Sequence, residues 1–212
     1  REKEVVGIYI SGHPLDDFKT EMNTFCNATI SLFNDLNNYV NRELTFGGVV
    51  TDVQHRISKQ GKGWALFTVE DYIDTHEFRI FGEEYLKFRH FLLKSSFIYV
   101  RTFIKEGWTN RDTGKKSEPR VQFNNFQLLH DVMDSYAKKL SIQFNIHDIK
   151  EKRIKEIQEL LKLHKGNHKL NFVIYDNEEQ IKLQMPSRKQ KVRISQELLD
   201  ELENHEVFYK LN

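Results

Sequence analysis

A single cysteine, Cys26, stands among 212 residues, so no intramolecular disulfide and no cysteine zinc cluster can form. That fits a protein of the reducing cytoplasm. Long apolar runs are absent as well. The longest candidates, around Phe97–Val100 and Leu170–Tyr175, are strand-length, far short of the roughly 20 residues that cross a bilayer. The opening REKEVV has no apolar signal-peptide core. The chain starts at Arg1 without an initiator Met, as expected of a segment of a longer chain. Net charge is only +1, so any attraction for nucleic acid has to come from local placement and not from bulk charge. No His/Cys/Asp cluster has metal-ligand spacing and no glycine-rich phosphate loop occurs, so neither a metal nor a cofactor is expected. Two-metal chemistry needs carboxylates that converge on one point. The adjacent acidic pairs Asp16-Asp17, Glu70-Asp71, Glu83-Glu84 and Glu178-Glu179 lie in different regions. Neighbours on a strand point to opposite faces. These pairs read as solvated surface, and the segment as non-catalytic.

An apolar fraction of 39% with 12% aromatics is enough for a buried core, and the length suits one large domain or two small ones. Residues 1–42 are helical in pattern. Val5, Val6, Ile8 and Tyr9 form one apolar face, Gly12 stops that helix, and Pro14 starts a second that carries Leu15, Phe18, Met22 and Phe25. The result is a helical hairpin with an apolar face in need of a partner.

From Glu43 the apolar period becomes two. Glu43–Ile57 reads as a strand, with Gly47-Gly48 allowing a strong bend or bulge. After a turn at Ser58–Gly63, Trp64–Val69 and His76–Phe81 form a hairpin. A helix follows from Gly82 to about Leu93, then strands at Ser96–Phe103 and Arg120–Leu129 around a polar, basic loop at Trp108–Pro119. Three strands, a helix and two strands is the order of the OB-fold, a small Greek-key β-barrel. This domain is expected over residues 43–132.

Residues 133–212 form a separate small α+β domain. Leu140–Ile146, Leu170–Tyr175, Gln180–Met185 and Val207–Leu211 read as strands, and Lys150–His164 as an amphipathic helix with Ile154, Ile157, Leu160 and Leu161 on one side. Ser195 is placed to cap a helix reaching Asn204. The fold class is therefore mixed α/β.

Some of these residues resemble a known family. EKEVVGIYISGHPLDDF (Glu2–Phe18), with Gly7-Ile8-Tyr9-Ile10-Ser11-Gly12-His13-Pro14-Leu15 at its centre, is similar to the segment that leads into the OB domain of the bacterial DNA polymerase III α subunit, a family C replicative polymerase. Gly48-Val49-Val50, the Ser58–Lys62 turn, Ala65–Asp71, Phe81 and Tyr85 agree with it. The resemblance covers residues 2–131; beyond them it rests on position. It implies a parent enzyme, a nucleotidyltransferase, that copies chromosomal DNA, with palm, thumb, fingers and clamp-binding motif upstream of Arg1. It further implies an OB domain on the template single strand and a last domain that binds the clamp-loader subunit τ in some bacteria, both attached to the rest of the α subunit.

Single-strand binding needs cations along a groove and aromatic faces on which bases stack. The first barrel loop offers Arg56, Lys59 and Lys62 with Trp64 beside it, and the third strand offers Arg79 and Phe81. The loop between the fourth and fifth strands offers Trp108, Arg111, Lys115, Lys116 and Arg120. Phe67 reads as barrel core, while Trp64 could face either way. His13-Pro14 reads as a turn between helices rather than as a catalytic pair. Thr29–Phe33 only loosely echoes a clamp-binding pentapeptide, lacking its leading Gln. In the last domain, residues 182–193 carry five basic residues and no acidic one. Lys189, Lys191 and Arg193 are the candidate contacts to a protein partner, set against the plainer reading of a solvated loop. Two other functions fit the pattern: the tRNA-binding OB domain of a class II synthetase, whose catalytic core and motifs are missing here, and a protein-interaction module that binds no nucleic acid.

Overall fold

The computed structural model describes residues 12–109, 114 and 116–211. The first predicted helix, with Val5, Val6, Ile8 and Tyr9, lies outside the described residues, as do Arg111 and Lys115. The chain divides into two compact units that meet between Val132 and Met133.

The first unit is built on a five-stranded antiparallel sheet in the order β3-β2-β1-β4-β5. Its strands are β1 (Glu43–Ile57), β2 (Gly63–Glu70), β3 (Thr75–Phe81), β4 (Phe97–Lys105) and β5 (Arg120–Leu128). Ahead of them come a 3-10 turn at Asp16–Phe18, the helix α1 (Lys19–Phe25) and a 3-10 segment at Ile30–Asn34; helix α2 (Gly82–Phe88) sits between β3 and β4. The order of elements is the expected one. The closed barrel is not: β1 pairs with both β2 and β4, but no ladder joins β3 to β5 among the described residues. Side chains occupy the inner part of that gap instead, with Phe78 and Phe123 meeting edge to face at 5.9 Å. Outside this contact a cleft remains open.

Seven consecutive β1 residues, Leu44–Val50, are buried, whereas the far end of the strand is exposed. Alternation fails in the first half because both faces are covered. Leu44, Phe46 and Val50 join an aromatic core with Phe33, Phe67, Phe78, Phe88, Phe123 and Phe126, and Phe46 stacks on Phe78 at 5.1 Å. On the other face Thr45 is clamped to Asn27, accepting from the Asn27 N–H and donating its own N–H to Asn27 Oδ1 at 2.7 Å. Met22 lies where a Gly47 Cβ would go, and a Gly48 Cβ would stand 2.6 Å from the Glu70 carbonyl oxygen. The two glycines therefore admit close neighbours. The bulge expected of them falls further on, between Val50 and Asp52.

One further reading is corrected by the packing, and two others agree with it. Glu70 and Asp71 are buried, not solvated. Asp71 accepts from the backbone N–H groups of Ile30 at 2.7 Å, Ile73 at 2.8 Å and Asp74 at 2.9 Å, which satisfies its charge and ties the 3-10 segment to the β2–β3 turn. Ile30 and Phe33 are core residues, so Thr29–Phe33 has no free apolar anchors to offer a clamp. His13 is a turn residue: its Nδ1 accepts from the Leu15 N–H, and its ring lies 4.6 Å from Tyr72.

The second unit holds a mixed sheet in the order β8-β7-β6-β9, formed by β6 (Lys139–Asn145), β7 (Lys165–Asp176), β8 (Ile181–Val192) and β9 (Phe208–Leu211). An unforeseen helix, α3 (Leu129–Tyr136), carries the chain across the boundary between units. Parallel β6 and β7 are joined through α4 (Glu151–Leu163). The helix α5 (Gln196–Asn204) starts at Ser195, whose Oγ accepts from the Leu198 N–H. Ile157, Leu160 and Leu161 of α4 and Leu198, Leu199 and Leu202 of α5 are buried. The basic stretch after Met185 is not a loop but continues β8 to Val192, with a register shift opposite Lys169–Asn171.

Candidate nucleic-acid interface

The β2–β3 hairpin is in register from Glu70↔Thr75 at the turn to Trp64↔Phe81 at the open end. Directly opposite residues share a face, so Trp64 and Phe81 stand side by side. Their rings stack with centroids 5.3 Å apart and planes 18° from parallel. Arg56, opposite Trp64 on β1, holds its guanidinium 5.5 Å from the indole centroid, within cation–π range. Phe81 is 54% exposed. Phe67, three residues along from Trp64, is 1% exposed and belongs to the core.

Phe81 also borders the cleft left by the open β3–β5 edge. The cleft holds about 620 Å³ and is lined by Arg79, Phe81, Glu84, Lys105, Arg120 and neighbouring β5 residues. Lys105 and Arg120 face each other across β4 and β5. Burial holds the Glu84 carboxyl above its ordinary range, opposed by the Phe123 N–H and the positive charges of Lys105 and Arg120. Arg79 is exposed, 4.0 Å from Glu77.

The geometry brings together Arg56, Trp64, Arg79 and Arg120 of the sequence candidates. Lys59 and Lys62 are exposed at the β1–β2 turn. Trp108 is 66% exposed at the root of the β4–β5 loop, where its carbonyl accepts from the Ser117 N–H and Lys116 pairs with Glu106 at 3.3 Å. Lys189 and Lys191 are exposed on β8, and Arg193 just beyond it. Glu84 and Lys105 were missed. The signal for Lys105 was its pairing with Arg120, which no periodicity reveals.

Residues 140–212 match the family described as DNA polymerase III alpha subunit, C-terminal domain. Over that stretch, about a third of the chain, it is similar to the C-terminal domain of DNA polymerase III alpha subunits, and the match falls where the sequence motifs were thinnest. Among curated relatives, the DNA polymerase III subunit alpha of Borreliella burgdorferi is 31% identical over 47% of this chain. That of Halalkalibacterium halodurans is 25% identical over 95% of it. The chain spans only 8% and 17% of these two relatives' lengths. A solved structure of a putative aspartyl-tRNA synthetase from Leishmania major Friedlin aligns with 57% of this chain and 22% of its own at 9% identity, with a TM-score of 0.33, too low to bear on fold or function.

Proposed function

We propose that this chain is a non-catalytic, cytoplasmic segment of a replicative DNA polymerase subunit, with an OB-type first unit that binds single-stranded template DNA. The second unit holds a replisome partner, the clamp-loader τ subunit, and neither unit needs a cofactor of its own. The observation that supports single-strand binding is the run of groups from Arg56 through the stacked Trp64 and Phe81 to Arg79, Arg120 and Lys105. It joins aromatic faces to cations along one continuous path, as single strands require. In this reading the path runs between the two loops expected to flank the groove: Arg56 leads into the first, and Lys105 and Arg120 stand at the base of the second.

Fluorescence-anisotropy titration of the whole chain with equal-length oligo-dT, oligo-rU and duplex DNA tests the reading. Preference for oligo-dT is expected, with log affinity falling against log salt at a slope of about −2 for some three phosphate contacts at ~0.7 each. Preference for oligo-rU would favour a tRNA-type domain, and no binding to any of the three would leave a protein-interaction module.

A further inference from the structure

In the second unit, two cross-strand rows of apolar side chains lie on one face of the sheet: Phe144, Ile174 and Leu183 in one, Ile142, Phe172 and Met185 in the other. Helix α4 covers the β6 end of these rows through Ile154, Ile157 and Leu161. Over β7 and β8 nothing covers them among the described residues. An apolar groove of about 270 Å³ opens there between α4 and Phe172, Ile174 and Met185. Around it Ile154, Ile181, Leu183 and Met185 are exposed by 39–59%. Contiguous apolar surface of this kind marks an interaction site.

Two observations define what fits. The first concerns shape. The space beside α4, on the sheet face it already packs against, is that of another helix in the same layer. Strand addition at β8 is disfavoured, because the register shift and the lysines along that edge are devices that block edge pairing. The second concerns charge. Gln190, on the groove wall, is flanked by Arg188, Lys189 and Lys191, which form no ion pair among the described residues. The Gln190 Nε2 is buried without a hydrogen-bond partner among the described residues and so is a donor in want of an acceptor. Residues 182–193 contain no acidic side chain.

We propose that this groove receives an amphipathic helix of a protein partner, apolar toward Phe172, Ile174 and Met185 and acidic along the flank that meets Arg188, Lys189 and Lys191. This is helix-in-groove recognition with charge setting the orientation. It deepens, and rests on, the reading of the second unit as a partner-binding domain.

The test uses the whole chain and three labelled synthetic helical peptides of about 18 residues: leucines on one face with glutamates elsewhere, the same peptide with lysines for glutamates, and the acidic peptide with serines for leucines. Only the first is expected to bind. Leu183→Asp should weaken it about tenfold or more, and Arg188→Glu with Lys189→Glu severalfold, without a change in melting temperature, since all three side chains are exposed. Equal binding of the lysine peptide, indifference to Leu183→Asp, or no binding of the acidic peptide would overturn the proposal. Purified τ subunit is titrated in parallel. If τ binds and ignores Leu183→Asp, the groove is refuted while the partner-binding reading stands; if τ does not bind at all, the clamp-loader reading itself fails.

Discussion

Phe81 lies against Trp64 at the open end of the β2–β3 hairpin, their rings 5.3 Å apart and nearly parallel. A base that extends this stack gains about 1–3 kcal/mol. Trp64→Ala and Phe81→Ala should therefore each weaken oligo-dT binding by roughly 5- to 150-fold, the range that energy corresponds to. Because the rings support each other, the double variant should lose less than the sum of the two. Anisotropy titration of the three variants measures both effects; strict additivity would mean the rings act separately.

Glu84 lines the cleft together with Lys105 and Arg120, whose positive charges act on its carboxyl. Burial raises its pKa, so the negative charge that would compete with a phosphate on the proposed path appears as pH rises through that elevated value and is absent below it. Glu84→Gln should tighten binding at neutral pH by about 2- to 5-fold, matching ~0.5–1 kcal/mol for a part-exposed ion pair. It should also flatten the pH dependence on the acid side. Weaker binding by this variant would show that the carboxylate organises the cleft and does not obstruct it.

Gly48 has no room for a side chain. An added Cβ would come within 2.5 Å of Val69 Cγ1 and 2.6 Å of the Glu70 carbonyl oxygen. The backbone oxygen cannot rotate away, so Gly48→Ala should cost about 1–3 kcal/mol or more from overpacking. Urea denaturation gives the value, and a midpoint equal to that of the parent would contradict the packing at this strand crossing.

Glu21 is the buried residue of α1, and burial pushes its pKa above the ordinary 4.5. Its Oε2 has no hydrogen-bond partner among the described residues. Since the folded-state value is the higher one, folding is most favoured below the unfolded value, and that stability is lost as pH rises through the folded value. Glu21→Gln should accordingly remove the loss. Parent and variant should melt at similar temperatures near pH 4, with the variant higher near pH 8. A variant that melts lower than the parent at pH 8 would show that the ionised carboxylate is needed.

Much of this was legible in the sequence because local patterns and tertiary structure agree. The period-two run after Glu43 gave β1 its bounds, Ser195 sits where a helix cap belongs, and the helix between β3 and β4 was placed by Tyr85 and Phe88. The misreadings share a physical cause, namely that pattern reports exposure only where one face is covered. Asp71 looks solvated until Ile30 brings a buried N–H to it from 41 residues away. Leu44–Val50 is buried on both sides by α1 and the aromatic core. Closure of the barrel depends on whether β3 and β5 meet, which no local signal states. The Trp64–Phe81 pair, in contrast, was within reach. Centring the turn on Tyr72 and Ile73 fixes the hairpin register and sets those two aromatics opposite each other.

Trp64 and Trp108 are the chain's two tryptophans, so Trp108→Phe leaves Trp64 as the sole indole reporter on the stacked platform. Its emission, followed during titration with oligo-dT, reads the proposed contact directly. Saturable quenching that weakens with salt and disappears in Phe81→Ala is the predicted result. Oligo-dT that binds by anisotropy while Trp64 emission stays unchanged would place the strand elsewhere and contradict the account.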